Sequence, residues 1–340
     1  MTQKKVLVNI LTYNSEKYIQ SCIESVLKQT YPHIELIVTD NASEDGSVDK
    51  VSRLFPILPL WRNEENIGFA RAHNAAIEAG QFDYYLPLNP DVILHPRFVE
   101  EVVTAVERDP SVGSANGKIF FLTPKGEKTE YIYSTGEEFS RARRSSPRGY
   151  KEKDSPIFGQ EAYVFGANGA APLYKREFLE AIKINDYYFD KDFFMYGEDV
   201  DLGWRGVLLG HRCLYVPKAV AYHYGFGSGG LKEKFIQYQY ERNRFMLIYK
   251  NDLAKYFIAD IPFFVFHECS NFLFYLLSSP GRVVQYVKAI SGFLKLFRQK
   301  RAERLEIMAR MRVDINELRG FYHTPIFLKL IRRRLFFKLE

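Results

Sequence analysis

Residues 194–205 read Phe-Met-Tyr-Gly-Glu-Asp-Val-Asp-Leu-Gly-Trp-Arg, placing three carboxylates (Glu198, Asp199, Asp201) within four positions and Arg205 four residues after the last. A solvated acidic loop would surround its charges with lysines and serines. Here the neighbours are aromatic and apolar, which raises a carboxylate's pKa and suits it to act as a general base. Taken alone, the run is open to two readings: catalysis or metal binding, or a buried ion-pair cluster.

The elements that must position this run are legible upstream. Val6–Leu11 is a continuous apolar run followed by Thr12-Tyr13-Asn14, and the spacing of Tyr18, Ile19, Cys22, Ile23, Val26 and Leu27 predicts an amphipathic helix opening near Ser15. Leu36–Thr39 reads as a second buried strand ending in Asp40-Asn41-Ala42-Ser43. Phe69–Ala79 reads as a helix capped by Gly80, and Tyr84–Leu88 as a third strand ending in Asn89-Pro90-Asp91. Strands alternating with helices imply a mostly parallel α/β sheet, whose ligands bind at the carboxyl ends of the strands. Three polar clusters, at 12–14, 40–47 and 89–91, fall at those ends. From Phe120 to about Phe158 the pattern weakens, and the basic run Arg141, Arg143, Arg144, Arg148 suggests long loops or a hairpin.

These pieces, in this order, resemble family 2 glycosyltransferases of the GT-A fold, particularly bacterial rhamnosyltransferase-like members. The resemblance rests on Thr12-Tyr13-Asn14, Tyr31-Pro32, Asp40-Asn41-Ala42-Ser43 with Asp45-Gly46-Ser47, Asn66-Ile67-Gly68-Phe69-Ala70-Arg71 with Asn74, Leu88-Asn89-Pro90-Asp91, and Gly197-Glu198-Asp199-Val200-Asp201-Leu202 with Arg205. It covers about residues 5–230. It implies an inverting transfer of a sugar from a nucleotide-diphosphate donor, dTDP-rhamnose in the rhamnosyltransferase-like case, to a lipid-linked or glycan acceptor in cell-envelope glycan synthesis. A galactosyl- or N-acetylglucosaminyltransferase of the same fold, or a catalytically silent sugar-nucleotide or membrane-binding module, are the alternatives.

On that resemblance each candidate residue acquires a role. Thr12, Asn14, Asp40, Asn41, Ser43, Gly68, Arg71 and Asn89 fall to the nucleotide, with Asp40 accepting the base's imide N–H. Asp40 is also open to a reading as an Asx-turn cap, Asn14 as a cap of the first helix, and Gly68 as a packing glycine. Asn89-Pro90-Asp91 stands where the family carries Asp-x-Asp, so Asp91, with His223, is the candidate holder of Mg2+ or Mn2+, and the amide at 89 weakens the set. Asp199 matches the base. Glu198 orients the acceptor or the loop, and Asp201 is the second candidate base or the partner of Arg205. Asn168 and Gly169 let an acceptor approach the backbone, and Trp204 and Arg205 complete the acceptor side, Trp204 being equally readable as a core anchor.

Charge separates the chain into two parts. Residues 231–340 hold 21 Lys+Arg against 10 Asp+Glu, whereas the first 230 hold 26 against 31. We therefore expect a catalytic domain over 1–230 and a helical, basic-aromatic region over 231–340. The pattern of Val283, Val284, Val287, Ile290, Phe293, Leu294 and Phe297 beside Lys288, Lys295, Arg298, Lys300 and Arg301 fits an amphipathic helix at an anionic membrane, with packing on the catalytic domain or another subunit as the alternative. Arg332-Arg333-Arg334 beside Phe336-Phe337 repeats the theme. Because His267-Glu268 divides the apolar runs around it, no segment is expected to be long enough to span a bilayer. Three unpatterned cysteines point to a reducing compartment, and the lack of a recognition motif argues against nucleic acid. The expected location is the cytoplasmic face of the plasma membrane, and a homo-oligomer is compatible with it.

Overall fold

The computed structural model describes residues 4–225, 231–278, 280–313 and 315–324. The first half alternates as expected: β1 (Val6–Thr12), α1 (Ile19–Leu27), β2 (Ile34–Asp40), α2 (Ser47–Leu54), β3 (Leu60–Arg62), α3 (Gly68–Ala79) and β4 (Tyr84–Leu88). There follow β5 (Val92–Leu94), α4 (Phe98–Glu107), β6 (Val112–Leu122), β7 (Lys128–Ser134), β8 (Glu137–Ser140), β9 (Ser145–Pro147), β10 (Ala162–Val164), β11 (Pro172–Lys175), α5 (Arg176–Ile182), α6 (Glu198–Leu208) and β12 (Arg212–His223). The rest is helical, α7 (Glu233–Asn251), α8 (Ala254–Ser278), α9 (Pro280–Ala309) and α10 (Ile315–Gly320), closed by β13 (Tyr322–His323).

The main sheet runs β10-β12-β6-β11-β4-β1-β2-β3. Strand β1 is parallel to β2 and β4, and β12 is parallel to β6, whereas β11 is antiparallel to both of its neighbours. One reversed strand between β4 and β6 leaves β1, β2, β4, β6 and β12 running the same way. Thr12, Asp40, Leu88 and His223 therefore end their strands at one edge. Both faces of the sheet are covered, which is why β1 is apolar without a polar side. Val6, Val8 and Ile10 pack with Ile19, Cys22 and Ile23 of α1, while Leu7 packs with Ala76 and Ile77 of α3.

Three expectations change. Helix α1 begins at Ile19, because Asn14 takes a left-handed φ of 48° and the Ser15 carbonyl accepts the N–H groups of Tyr18 and Ile19 in a preceding turn. The 120–158 stretch is ordered: β7 returns antiparallel on β6, and β8 and β9 join β13 in a second, three-stranded sheet. Its basic run is anchored by ion pairs, Arg141 and Arg143 to Asp260, Arg143 to Asp252, and Arg144 to Glu241.

The third change concerns α8. His267 and Glu268 do not divide the two apolar runs, since both turn toward the protein, His267 against Arg144 and Glu268 against Arg244. The runs join in one helix, of which Ala254–Leu277 is long and apolar enough, by length and composition, to cross a membrane. Only 11% of its apolar window is buried, and Ile258, Ile261, Val265, Phe266, Leu273 and Leu277 are exposed. Helix α9 likewise exposes Val284, Val287, Leu294 and Phe297. The opposite faces of the helical region are committed to the protein: Met246, Leu247, Tyr256, Ile307 and Leu318 share a core with Phe139, Phe165, Val200 and Trp204. The Arg332–Arg334 and Phe336–Phe337 cluster lies outside the described residues.

Candidate active site

The loops at the carboxyl ends of β1 and β2 are tied together by side chain to backbone bonds. Ser43 Oγ accepts the Asn14 N–H at 2.9 Å, and Asn14 Oδ1 accepts that of Glu44 at 2.8 Å. Asn14 thus bridges two loops and does not cap α1. Buried Asp40 accepts the N–H of Ser43 at 3.2 Å, as an Asx turn does, and still stands at the sheet edge beside Thr12, whose buried Oγ1 has no hydrogen-bond partner among the described residues. Asn41 donates to Asn66 Oδ1 and accepts from Asn63, which fixes the loop leading into α3. Gly68 opens that helix at φ 80°, and a Cβ there would lie 2.6 Å from the Phe194 carbonyl, so only glycine lets α3 meet the acidic loop. Arg71 is exposed and donates to the Lys191 carbonyl at 3.4 Å, apart from this corner.

At the centre of the edge, β12 pairs with β5 so that His223 faces Val92. That register brings the buried His223 Nε2 to 3.0 Å from Asp91 Oδ1 across 132 residues of sequence. The second ring nitrogen of His223, also buried, has no hydrogen-bond partner among the described residues. Asn89 is half-buried, its N–H donating to the Ala170 carbonyl, which places the 89–91 turn against the 168–171 segment.

That segment meets the acidic run directly. Asp199 Oδ2 accepts the Gly169 N–H and Oδ1 that of Val200, each at 2.8 Å. The approach is possible because α6 docks through Gly203, where a Cβ would stand 2.8 Å from the Gly166 Cα. Burial pushes the Asp199 carboxyl above the usual carboxylate range, although the backbone donors hold part of the shift back. Glu198 is buried, its Oε2 has no partner among the described residues, and burial together with the Asp199 charge pushes it up to about 8. Two further residues of this site carry no signal in the sequence. Glu137, wholly buried, accepts from Asn168 Nδ2 at 2.6 Å and is raised well above its ordinary value by burial and by Asp199. Tyr133 packs edge-on against His223 at 4.2 Å, and burial, then Asp91, Tyr150, Glu137 and Asp199, raises its hydroxyl pKa. Tyr133 lies on β7, inside the stretch where the sequence pattern weakens, and nothing in its neighbourhood marks a site.

The remaining candidates lie elsewhere. Asp201 is fully buried, bonded to Arg205 at 2.9 Å and to Lys250 at 2.8 Å. Burial pushes its carboxyl upward, but the two cations outweigh that and hold it below its ordinary value, so it is no base. Arg205, equally buried, spends its other donors on the carbonyls of Ile182 and Tyr188. Trp204 is enclosed by Phe139, Phe165 and Tyr322 and offers no face to a sugar. All three residues follow the core-facing stripe of α6, where the ion-pair and core-anchor readings hold. A nearby carboxylate group, Asp190, Asp192 and Glu303, has metal-like spacing. Two ammoniums already occupy the cluster: Lys250 lies 2.6 Å from Asp190, and Lys300 lies 2.7–2.9 Å from all three carboxylates.

A mostly parallel sheet with β11 reversed between β4 and β6, flanked by helices and carrying its polar groups on one edge, defines the GT-A class of fold. The model of glycosyl transferase family 2 matches residues 8–171 of the chain. The chain is similar to an N-acetylglucosaminyl-diphospho-decaprenol L-rhamnosyltransferase of Mycobacterium tuberculosis, 24% identical over 243 residues, covering 65% of this chain and 76% of that protein. Among solved structures it resembles S. aureus TarS in complex with UDP-GlcNAc, with a TM-score of 0.55, 18% identity and 89% of each chain covered. It also resembles GalNAc-T7 with UDP, GalNAc and Mn2+, with a TM-score of 0.59 and 16% identity over 77% of this chain and 51% of that one. Other curated relatives, from Haemophilus influenzae and Streptococcus pneumoniae, are matched over only 38% and 45% of their own length.

Proposed function

We propose that the chain is an inverting glycosyltransferase of cell-envelope glycan synthesis, with Asp199 as the base that takes the proton of the acceptor hydroxyl. The observation that carries this reading is the position of Asp199. It is held by two backbone donors at the N-terminus of α6, against the 168–171 segment that also receives the 89–91 turn, and burial raises its pKa above the usual carboxylate range. Inversion needs that base opposite the leaving diphosphate, and the corner formed by Thr12, Asn14, Asp40, Asn41 and Ser43 is the place for the nucleotide. Asn168 and Gly169 line the acceptor's approach, and Glu198, neutral below about pH 8, keeps a second negative charge away from Asp199.

Asp91 and His223 fit a divalent cation, Mg2+ or Mn2+: one hard oxygen and one imidazole converge at 3.0 Å, with Asn89 two residues away. Such an ion supplies charge neutralisation for the leaving diphosphate. The mycobacterial relative favours rhamnose as the sugar and a lipid-linked diphosphate as the acceptor, while TarS with UDP-GlcNAc supports the N-acetylglucosaminyl alternative. We read residues 1–230 as the catalytic part and 231–340 as a helical part that lays the exposed apolar faces of α8 and α9 on an anionic cytoplasmic membrane surface.

The test is Asp199→Asn in a donor-turnover assay with manganese. Turnover should fall by about 10²–10⁴, the typical worth of a general base, with nucleotide-sugar binding retained. Intact turnover would remove Asp199 as the base.

A further inference from the structure

The turn that leads into α6 holds one large side chain in a strained backbone conformation. Tyr196 stands at φ 66°, in the left-handed region that bulky residues avoid, and Gly197 follows at φ 94°. One buried amide enforces this. Asn243 Nδ2 of α7 donates to the Met195 carbonyl at 2.9 Å and to the Tyr196 carbonyl at 2.8 Å, so the peptide units on both sides of the Tyr196 Cα are clamped. Arg242 donates to Asn243 Oδ1 through Nε and Nη2, which fixes the orientation of that amide.

The strain brings no packing in return. Tyr196 is 39% exposed and belongs to none of the buried apolar clusters. Its hydroxyl makes no hydrogen bond among the described residues. The one ring it meets there is that of Tyr240 on α7, at 6.4 Å and 77°, and Tyr240 is itself 37% exposed. Two nearly perpendicular rings thus form an open corner. Glu198 and the half-buried Asp199 follow directly in sequence. Three peptide steps keep the Tyr196 Cα within about 11 Å of the Asp199 Cα.

A strained residue that is clamped in place and left unpacked points to function. An exposed aromatic corner fits a sugar ring, because a pyranose presents a face of C–H groups that packs on an aromatic ring and keeps its hydroxyls at the rim. Burial, then the charges of Glu198 and Asp91, raise the Tyr196 pKa, so the phenol stays neutral and suits an uncharged ligand. We propose that the Tyr196–Tyr240 corner is the platform on which the acceptor's terminal sugar lies while Asp199 takes the proton of its hydroxyl. The inference rests on the glycosyl-transfer reading and adds to it the residues that receive the acceptor sugar. Because α7 supplies both Tyr240 and the Asn243 clamp, the helical region builds part of the acceptor side.

The experiment uses the full chain with manganese and whichever of UDP, dTDP or GDP stabilises it most, so that the donor corner is filled. Saturation-transfer NMR then reads the binding of methyl β-galactoside, methyl β-N-acetylglucosaminide and methyl α-rhamnoside, with glycerol as a polyol that lacks a ring. The proteins compared are wild type, Tyr196→Phe, Tyr196→Asn and Tyr240→Gln. The expected result is saturation of pyranose C–H protons by wild type and Tyr196→Phe, with affinity about two- to tenfold lower in Tyr196→Asn and Tyr240→Gln. Melting temperatures should agree within about 3 °C, since asparagine tolerates the left-handed region. Tyr240→Gln carries the test if Tyr196→Asn does not fold. Equal glycoside affinity in wild type and these two variants overturns the platform, and so does wild type that binds no glycoside. A loss in Tyr196→Phe as large as in Tyr196→Asn, or a glycerol signal with the same dependence on Tyr196, overturns the stacking role of the ring. If no nucleotide stabilises the protein, the glycosyl-transfer reading fails, while the glycosides still decide the platform.

Discussion

Glu198 provides a measurable consequence of crowding acids at the head of α6. Its carboxyl ionises near 4.5 in an unfolded chain and at about 8 in the folded one. Between those values the folded protein holds a proton that the unfolded chain has released, so stability falls as pH rises from about 5 to about 8 and levels off above. The interval corresponds to about 3–5 kcal/mol, taking 1.36 kcal/mol per pH unit and allowing for coupling to Asp199. Glutamine has the shape of the neutral acid and cannot ionise. Glu198→Gln should therefore match wild type near pH 5 and exceed it by about 3–5 kcal/mol above pH 8. For 340 residues that is about 4–7 °C in melting temperature. Calorimetric melting of both proteins from pH 5 to 9 is the assay. Parallel curves would refute the burial argument, and a less stable variant at high pH would mean that the ionised carboxylate has a partner in the fold. Because Glu198 is neutral at pH 7 in either protein, turnover there should change little.

Other perturbations separate positioning from chemistry. Lys250→Met leaves Asp190 and Asp201 short of a buried cation and should cost about 3–5 kcal/mol in urea denaturation. A loss under about 1 kcal/mol would show the network to be dispensable. Gly203→Ala puts a Cβ 2.8 Å from the Gly166 Cα, where only backbone can yield. It should lift α6 away from Gly169, lower kcat with the donor KM unchanged, and cost about 1–3 kcal/mol; unaltered kcat would count against the docking argument. Asp91→Asn and His223→Ala should each raise the manganese concentration needed for half-maximal turnover at least tenfold, and an unchanged metal titration would remove that pair as the ion's seat.

The amino-acid sequence alone determined the alternating strands and helices, the polar clusters at strand ends, and the family. Each of these is local: an apolar run of strand length, a turn residue, a spacing of a few positions. The resemblance those local motifs carry named Asp40, Asp91 and Asp199 among its candidates without any contact being known. Tertiary structure alone decided which acid of the run meets backbone N–H groups and which meets an ammonium. Asp199 and Asp201 are two residues apart and indistinguishable by type, but on α6 they point to different surroundings, one to Gly169 and the other to Lys250 and Arg205. Lys250 comes from a helix that the charge balance had assigned to a separate job. The same long-range pairing turned His267-Glu268 from a break in an apolar run into an inward face of α8, and brought Glu137 and Tyr133 to the site. Burial depends on partners distant in sequence, so it is fixed only when the chain closes.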